Sequence, residues 1–170
     1  HCLFWFSEKW VKFPTLKQIH VKKGETLQKS GDVNSKIYLV ISGLLRSYSI
    51  DQKGKEHIFM FAPENWTIAD ASNAHNSCDL TIDALEDSVV IIKDKTLENT
   101  PDTQLLFNRI GVLQTRVIML MSSSAIERYE HFIETYTDIA QRVPQKMIAS
   151  YLGITPEALS KAKGDKMRRL

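Results

Sequence analysis

The 170-residue chain predicts an α+β fold in three consecutive parts: an all-β sandwich or barrel, one long helix, and a C-terminal helix-turn-helix. Three observations carry this. Turn residues recur about every ten positions from Gln18 to Lys93. After Pro101-Asp102 the apolar period switches from that of strands to that of a helix. Between Pro144 and Ser160, Ala149, Gly153 and Leu159 stand at helix-turn-helix spacing. With 43% hydrophobic residues there is enough for one core plus a small satellite, and 25% charge with 9% aromatics excludes bulk disorder. Seven glycines and five prolines exclude collagen-like or low-complexity architecture. Apolar runs such as 37–41 and 89–92 are far too short to cross a bilayer, so no membrane partner is expected.

The β part reads from its punctuation. His20-Val21 leads into Lys22-Lys23-Gly24-Glu25, and Ser30-Gly31-Asp32 precedes the run 37–41. Ser42-Gly43 separates that run from 44–50, and residues 51–55 separate 44–50 from 57–62. Residues 81–85 and 88–93 follow, split by Glu86-Asp87. The β-branched and aromatic content of these runs favours strands. The short apolar segment 2–6 reads as an amphipathic lead-in helix because Glu8 and Lys9 follow it. A chain beginning at His1 leaves room for a missing N-terminal piece.

The long helix carries Leu106, Ile110, Leu113, Val117 and Leu120, spaced alternately four and three and continuing to Ser124. That seam packs either on the β domain or on its twin, and a homodimer is the favoured expectation. A second helical stretch covers roughly 125–140, with Phe132, Ile133, Tyr136 and Ile139 on its apolar side.

In the last segment Pro144 suits a first helical turn, and Met147, Ile148, Tyr151 and Leu152 form one buried face. Gly153 supplies the left-handed turn residue. Thr155 caps the next helix, Pro156 takes its first position, and Glu157 favours its positive end. Residues 142–170 hold seven basic and two acidic side chains, net +5, leaving −3 for residues 1–141. A basic helical hairpin suits double-stranded DNA, whereas a plain αα-hairpin would need no such surplus. The start of the second helix then meets base edges, which nominates Glu157 for cytosine N4, with Ser160 and Lys161 one turn on. Thr155 is placed near a phosphate or base, and Lys146 and Arg142 would position the unit on phosphates. Lys163, Lys166, Arg168 and Arg169 read as backbone contacts or a solvated tail. Gly164-Asp165 is expected to weaken or end the helix early.

A β-roll, a long helix and a helix-turn-helix, in that order, resemble the Crp/Fnr family of bacterial transcription regulators. Lys22-Lys23-Gly24-Glu25 with Ser30-Gly31-Asp32, the run from Ile37 through Gly43 to Arg46, and the stretches 61–66 and 84–88 resemble its cyclic-nucleotide-binding-like domain. Residues 144–160 resemble the helix-turn-helix of Bacteroidetes-type members. The resemblance implies a double-stranded β-helix (jelly-roll) sensor domain with an N-terminal helix over 1–100. It further implies a dimerisation helix over 101–126 and a DNA-binding domain over 127–170. It implies a homodimer in the cytoplasm, RNA polymerase as a further partner, and either an unidentified small-molecule effector held near Trp66, Asp70, Ser72 and His75 or a β domain that has lost sensing and serves as scaffold. The family's cyclic-AMP binders open the phosphate cassette with Gly-Glu and later place an Arg on the cyclic phosphate. Here no Lys or Arg occurs from Ala62 to Ile92, while Asp70, Asp79, Asp83, Glu86 and Asp87 do. An unpaired buried phosphate beside carboxylates is costly, so a degenerate cassette with no ordinary cyclic-AMP binding is expected. Asp70 is left as a stand-in for the Glu, contacting a ribose-like hydroxyl. The family's Arg before Glu157 is Pro156 here.

Other chemistries find little support. Two cysteines, Cys2 and Cys78, are too few for an iron–sulfur cluster, which needs about four, and His75 with Cys78 makes too few ligands for a metal; no cofactor and no metal are expected. Haem ligation by His75 or His57 has nothing further to support it. His57 stands alone on its run, and no Gly-x-Ser-x-Gly, P-loop or His-Glu-x-x-His occurs, so no enzyme is expected. Ser122-Ser123-Ser124 reads as small-residue packing along a helix. The rival to DNA binding is a cyclic-nucleotide-binding regulatory or protein-interaction module without sequence-specific DNA contact.

Overall fold

In the structure, a computed structural model, residues 17–73, 75–95 and 103–167 are described. The segment 2–6, Arg168 and Arg169 lie outside these residues, as does the side chain of Lys166. Two compact units divide the chain, one ending at Leu97 and the other beginning at Glu98. The long helix therefore groups with the C-terminal helices.

The first unit holds eight strands: β1 Lys17–Val21, β2 Thr26–Gln28, β3 Lys36–Ser42, β4 Leu45–Ile50, β5 Glu56–Ala62, β6 Thr67–Ala69, β7 Thr81–Ala84 and β8 Ser88–Asp94. They form two four-stranded antiparallel sheets, ordered β1-β8-β3-β6 and β2-β7-β4-β5. Consecutive strands alternate between sheets except at the β4–β5 hairpin, which is the jelly-roll order. The sequence runs anticipate six strands and miss β2 and β6, because three residues are too few to show a period.

Between the sheets sit Val21, Tyr38, Val40, Leu45, Met60, Ala62, Ile68, Ile82, Ala84 and Val90. Register builds this layer: Leu45 opposes Ala62 on one side and Ala84 on the other, so all three share one face. Gly43, at φ 91, turns the chain from β3 in one sheet to β4 in the other. A Cβ there would lie 2.7 Å from the Asp87 carbonyl oxygen and 2.8 Å from Ser88 Cα, so only glycine fits.

The second unit holds α1 Thr103–Ser122, α2 Ala125–Thr135, α3 Thr137–Arg142, α4 Gln145–Tyr151 and α5 Pro156–Met167. Ser124 is not helix interior: its hydroxyl accepts from the Glu127 amide while Glu127 accepts from the Ser124 amide, a capping box that starts α2. The stretch expected as one helix over 125–140 breaks at Tyr136, whose backbone at φ −129, ψ 46 leaves the helical region. The Tyr136 ring packs on Phe132 and Tyr151, at centroid distances of 5.4 and 6.1 Å. Phe132, Ile139, Val143, Ile148, Ala149, Leu152, Leu159 and Ala162 are the buried residues here. Each fully buried large side chain among them contributes about 1.5–3 kcal/mol. Contrary to expectation, α5 continues past Gly164-Asp165 to Met167. A helical glycine costs only about 1 kcal/mol, which packing at Leu159 and Ala162 offsets.

Candidate functional site

The helix-turn-helix comprises α4, the turn 152–155 and α5. Pro144 stands at the N-cap of α4, one residue before the helix proper. Ala149 is buried, where a larger side chain would hold the helices apart. Gly153 turns the chain at φ 65, and the Ile154 amide donates to the Ala149 carbonyl at 3.0 Å. Thr155 Oγ1 accepts from the Ala158 amide at 3.2 Å, capping α5, with Pro156 as its first residue.

Burial divides α5 into two faces. Leu159 and Ala162 point inward, while Glu157, Ser160 and Lys161 are exposed at i, i+3, i+4 spacing and so share the outer face. Thr155 is exposed at the mouth of the turn, and Lys146 is exposed in the first turn of α4. Lys163 is half-buried on the flank, because it follows Ala162 toward the inner side. Hydrogen bonding at the helix start, from its own amide and from Thr155, holds the Glu157 carboxyl below its usual range. Glu157 thus offers a fixed anionic acceptor beside the cation of Lys161.

Along α1, Leu106, Ile110 and Val117 are 47%, 55% and 54% exposed, with Leu113 and Leu120 half-buried. Phe107, Val112, Ile118 and Met121 are exposed too, so the apolar band is wider than the seam the spacing predicts. Single exposed apolar residues are ordinary; a contiguous helical band of them marks an interaction surface.

In the first unit, the loop from β6 to β7 carries three of the expected effector residues, Asp70, Ser72 and His75, while Trp66 immediately precedes β6. Asp70 is buried, and its carboxylate is fully engaged by the loop itself. Oδ1 accepts from the Ser72 amide at 2.7 Å; Oδ2 accepts from Leu80 at 2.9 Å and Asp79 at 3.1 Å. Burial opposes its charge, but these hydrogen bonds outweigh that and hold the carboxyl below its usual range. A ribose-like contact at Asp70 would have to displace a loop amide. Trp66 packs half-buried against the core, Ser72 is half-buried, and His75 is exposed on a turn organised by the Asn73 side chain. Of the three, Ser72 reaches Asp70 through its backbone amide.

The loop does have a cation, which corrects the picture of a cassette devoid of one. Lys95, just beyond the cation-free window, folds back so that Nζ donates to Ser35 Oγ and Asp70 O, both at 2.6 Å, and to Ser72 O at 2.7 Å. Burial lowers the Lys95 ammonium below the usual lysine range. Its distance in sequence from the loop left no local signal. A second cation, Arg46, is buried on sheet β2-β7-β4-β5. It forms a two-pronged pair with Asp83 at 2.8 and 2.9 Å, a bond to Glu56 at 2.6 Å, and lies 4.2 Å from the Tyr48 ring centroid. Both cations are committed to protein acceptors.

Among the described residues, no three His, Cys, Asp or Glu gather as a metal site, and no helix is long and apolar enough to cross a membrane. Cys78 is buried, with Sγ donating to the Lys29 carbonyl at 3.0 Å, and burial pushes its thiol up.

Comparison with known proteins agrees with this architecture. The family described as Cyclic nucleotide-binding domain matches residues 18–96. The Fumarate and nitrate reduction regulatory protein of Salmonella typhi is 30% identical over 168 residues, covering 85% of this chain and 66% of that protein. The chain thus spans about two thirds of the length of such curated relatives. FixK2 from Bradyrhizobium japonicum shares the fold with a TM-score of 0.75 at 22% identity, over 91% of this chain and 86% of that one. A regulator from Eubacterium rectale assigned to the Crp/Fnr family shares it with a TM-score of 0.67 at 20% identity, over 86% of this chain and 76% of that one. The jelly-roll strand order, the cyclic-nucleotide-binding domain match and the helical half that follows identify the chain as a member of the Crp/Fnr family.

Proposed function

We propose that the protein is a homodimeric, DNA-binding transcription regulator of the cytoplasm, with double-stranded DNA and RNA polymerase as partners and no enzymatic activity. The observation that carries this is the outer face of α5, where Glu157, Ser160 and Lys161 stand exposed behind a capped helix start. A recognition helix presents its first turns to base edges in this way. The exposed apolar band of α1 supports pairing with a second copy, which brings two such helices to half-sites roughly 34 Å apart. Lys146 and Thr155 serve phosphates, and Lys163 lies at the margin of the contact.

The β-roll acts on this output by population shift, through an effector near Trp66, Ser72 and His75 or as a scaffold without one. Cyclic AMP in the usual pose is disfavoured, because Asp70 holds the loop amides and Lys95 the loop carbonyls. Calorimetry with cyclic AMP and cyclic GMP tests this: no heat is expected, and micromolar binding would overturn it.

Fluorescence anisotropy over a salt series, on a duplex selected from a random pool and on random duplex, tests the DNA assignment. Lys161→Ala is expected to weaken the selected duplex about tenfold and to relax preference, since a base contact contributes about 1–3 kcal/mol. Lys146→Ala is expected to weaken both duplexes alike and to lower the salt slope by about one. Equal affinity of the wild-type protein for selected and random duplex would favour the protein-interaction alternative.

A further inference from the structure

Two guanidinium groups tie the helix-turn-helix to the end of the long helix, and neither follows from the recognition surface. A helix ends with carbonyls that lack partners and with partial negative charge. Helix α1 has no basic residue in its last turn to answer them. Arg128, on α2, supplies the cation instead. Its Nη2 donates to Leu120 O at 2.6 Å and its Nε to Ser123 O at 3.0 Å. The remaining arm, Nη1, donates to Leu152 O at 3.1 Å, on the residue that closes α4. One planar group thus bridges the carboxyl ends of two helices.

Arg116, on α1, grips the same place from another side. Its Nη2 donates to Tyr151 O at 3.2 Å, and its guanidinium lies 4.1 Å from the Tyr151 ring centroid. That ring also packs against Phe132 at 5.3 Å. The turn follows immediately: a Cβ on Gly153 would meet Leu120 Cδ2 at 3.6 Å and Arg128 Nη1 at 3.8 Å, ordinary contact distances that show how closely the end of α1 approaches. The last two carbonyls before the turn into α5 are therefore both held by guanidinium groups, that of Tyr151 from α1 and that of Leu152 from α2.

We infer that Arg116 and Arg128 are positioning residues for DNA recognition, fixing the direction in which α5 leaves the long helix. This rests on the DNA-binding function proposed above. The clamp needs the forked, planar geometry of arginine; a lysine keeps the charge, but its donors share one nitrogen and cannot replace three separate nitrogens reaching the carbonyls of two helix ends. Loss of the fork leaves the surface charge unchanged and frees the angle between α1 and the turn.

Arg128→Lys and Arg116→Lys in the full chain test this with two readouts, folding being checked by circular dichroism. Amide hydrogen exchange across residues 149–156 is expected to accelerate at least tenfold in Arg128→Lys, with the β-roll strands unchanged. Binding to a duplex selected by the wild-type protein from a random pool is expected to weaken about tenfold. Affinity for random duplex should hold within twofold, and the salt slope should not change. Unchanged exchange would overturn the clamp. Faster exchange with undiminished affinity for the selected duplex would overturn its positioning role. A salt slope lower by about one would make the arginine a phosphate contact instead. If the wild-type protein enriches no sequence, the DNA assignment fails, while exchange still decides whether the clamp exists.

Discussion

Replacing Asp70 with alanine removes the acceptor for three backbone amides at once, those of Ser72, Asp79 and Leu80. A hydrogen bond to a charged group contributes about 1.5–3 kcal/mol. Asp79 is exposed and Ser72 and Leu80 are half-buried, so water can repair part of the loss. With the exposed Asp79 amide re-satisfied by water, the low end of the range applies to the other two bonds, giving a net cost of about 3 kcal/mol for Asp70→Ala. Asn keeps one acceptor oxygen and loses the charge, so Asp70→Asn should cost about 2 kcal/mol. The pH dependence has a fixed sign. The folded carboxyl is held below its unfolded value. Its contribution is therefore complete above about pH 4 and drains away as pH falls through the folded value. Urea unfolding of the full chain at pH 7 should rank wild type above Asp70→Asn above Asp70→Ala. The gap between wild type and Asp70→Asn should narrow as pH falls below about 4. An Asp70→Ala protein within about 0.5 kcal/mol of wild type, below the usual cost of a lost bond, would refute the self-filled loop. So would a gap that does not narrow with acid.

Two further perturbations bear on the rest of the molecule. Asp83→Ala leaves the Arg46 guanidinium buried with Glu56 as its remaining carboxylate among the contacts shown, and should cost about 3–5 kcal/mol in urea unfolding; the double variant Arg46→Leu with Asp83→Leu should recover part of that, and strict additivity would contradict a coupled pair. Ile110→Glu with Val117→Glu should leave the helical content of the chain intact, since both side chains are more than half exposed, but should halve the mass seen by light scattering; an unchanged dimer would move the interface off this face.

Legibility of the sequence followed the range of the interactions. The helix-turn-helix was readable because capping, turn and packing residues lie within twenty positions and each acts on near neighbours. Pro156, Gly153 and Thr155 took their expected places. The β-roll was readable where strands had four residues or more, and β2 and β6, with three each, were not. Long-range polar contacts left no trace. Lys95 reaches Asp70 across twenty-five positions, and Arg116 reaches Tyr151 across thirty-five. The break at Tyr136 belongs to the same class, because it accompanies packing against Tyr151 on a later helix. The apolar band of α1 was seen as a seam and is broader, since Phe107, Ile118 and Met121 fall between the heptad positions. Asp70 was picked out by its place in the loop, but its partners are backbone amides that no residue identity announces.

Selection of duplexes from a random-sequence pool by the 170-residue chain tests the central claim most directly. Enrichment of a two-fold symmetric sequence is predicted, with half-sites about one helical turn apart and an affinity that falls steeply with added salt. A pool that emerges without symmetry, or binding indifferent to sequence at every salt concentration, would contradict it.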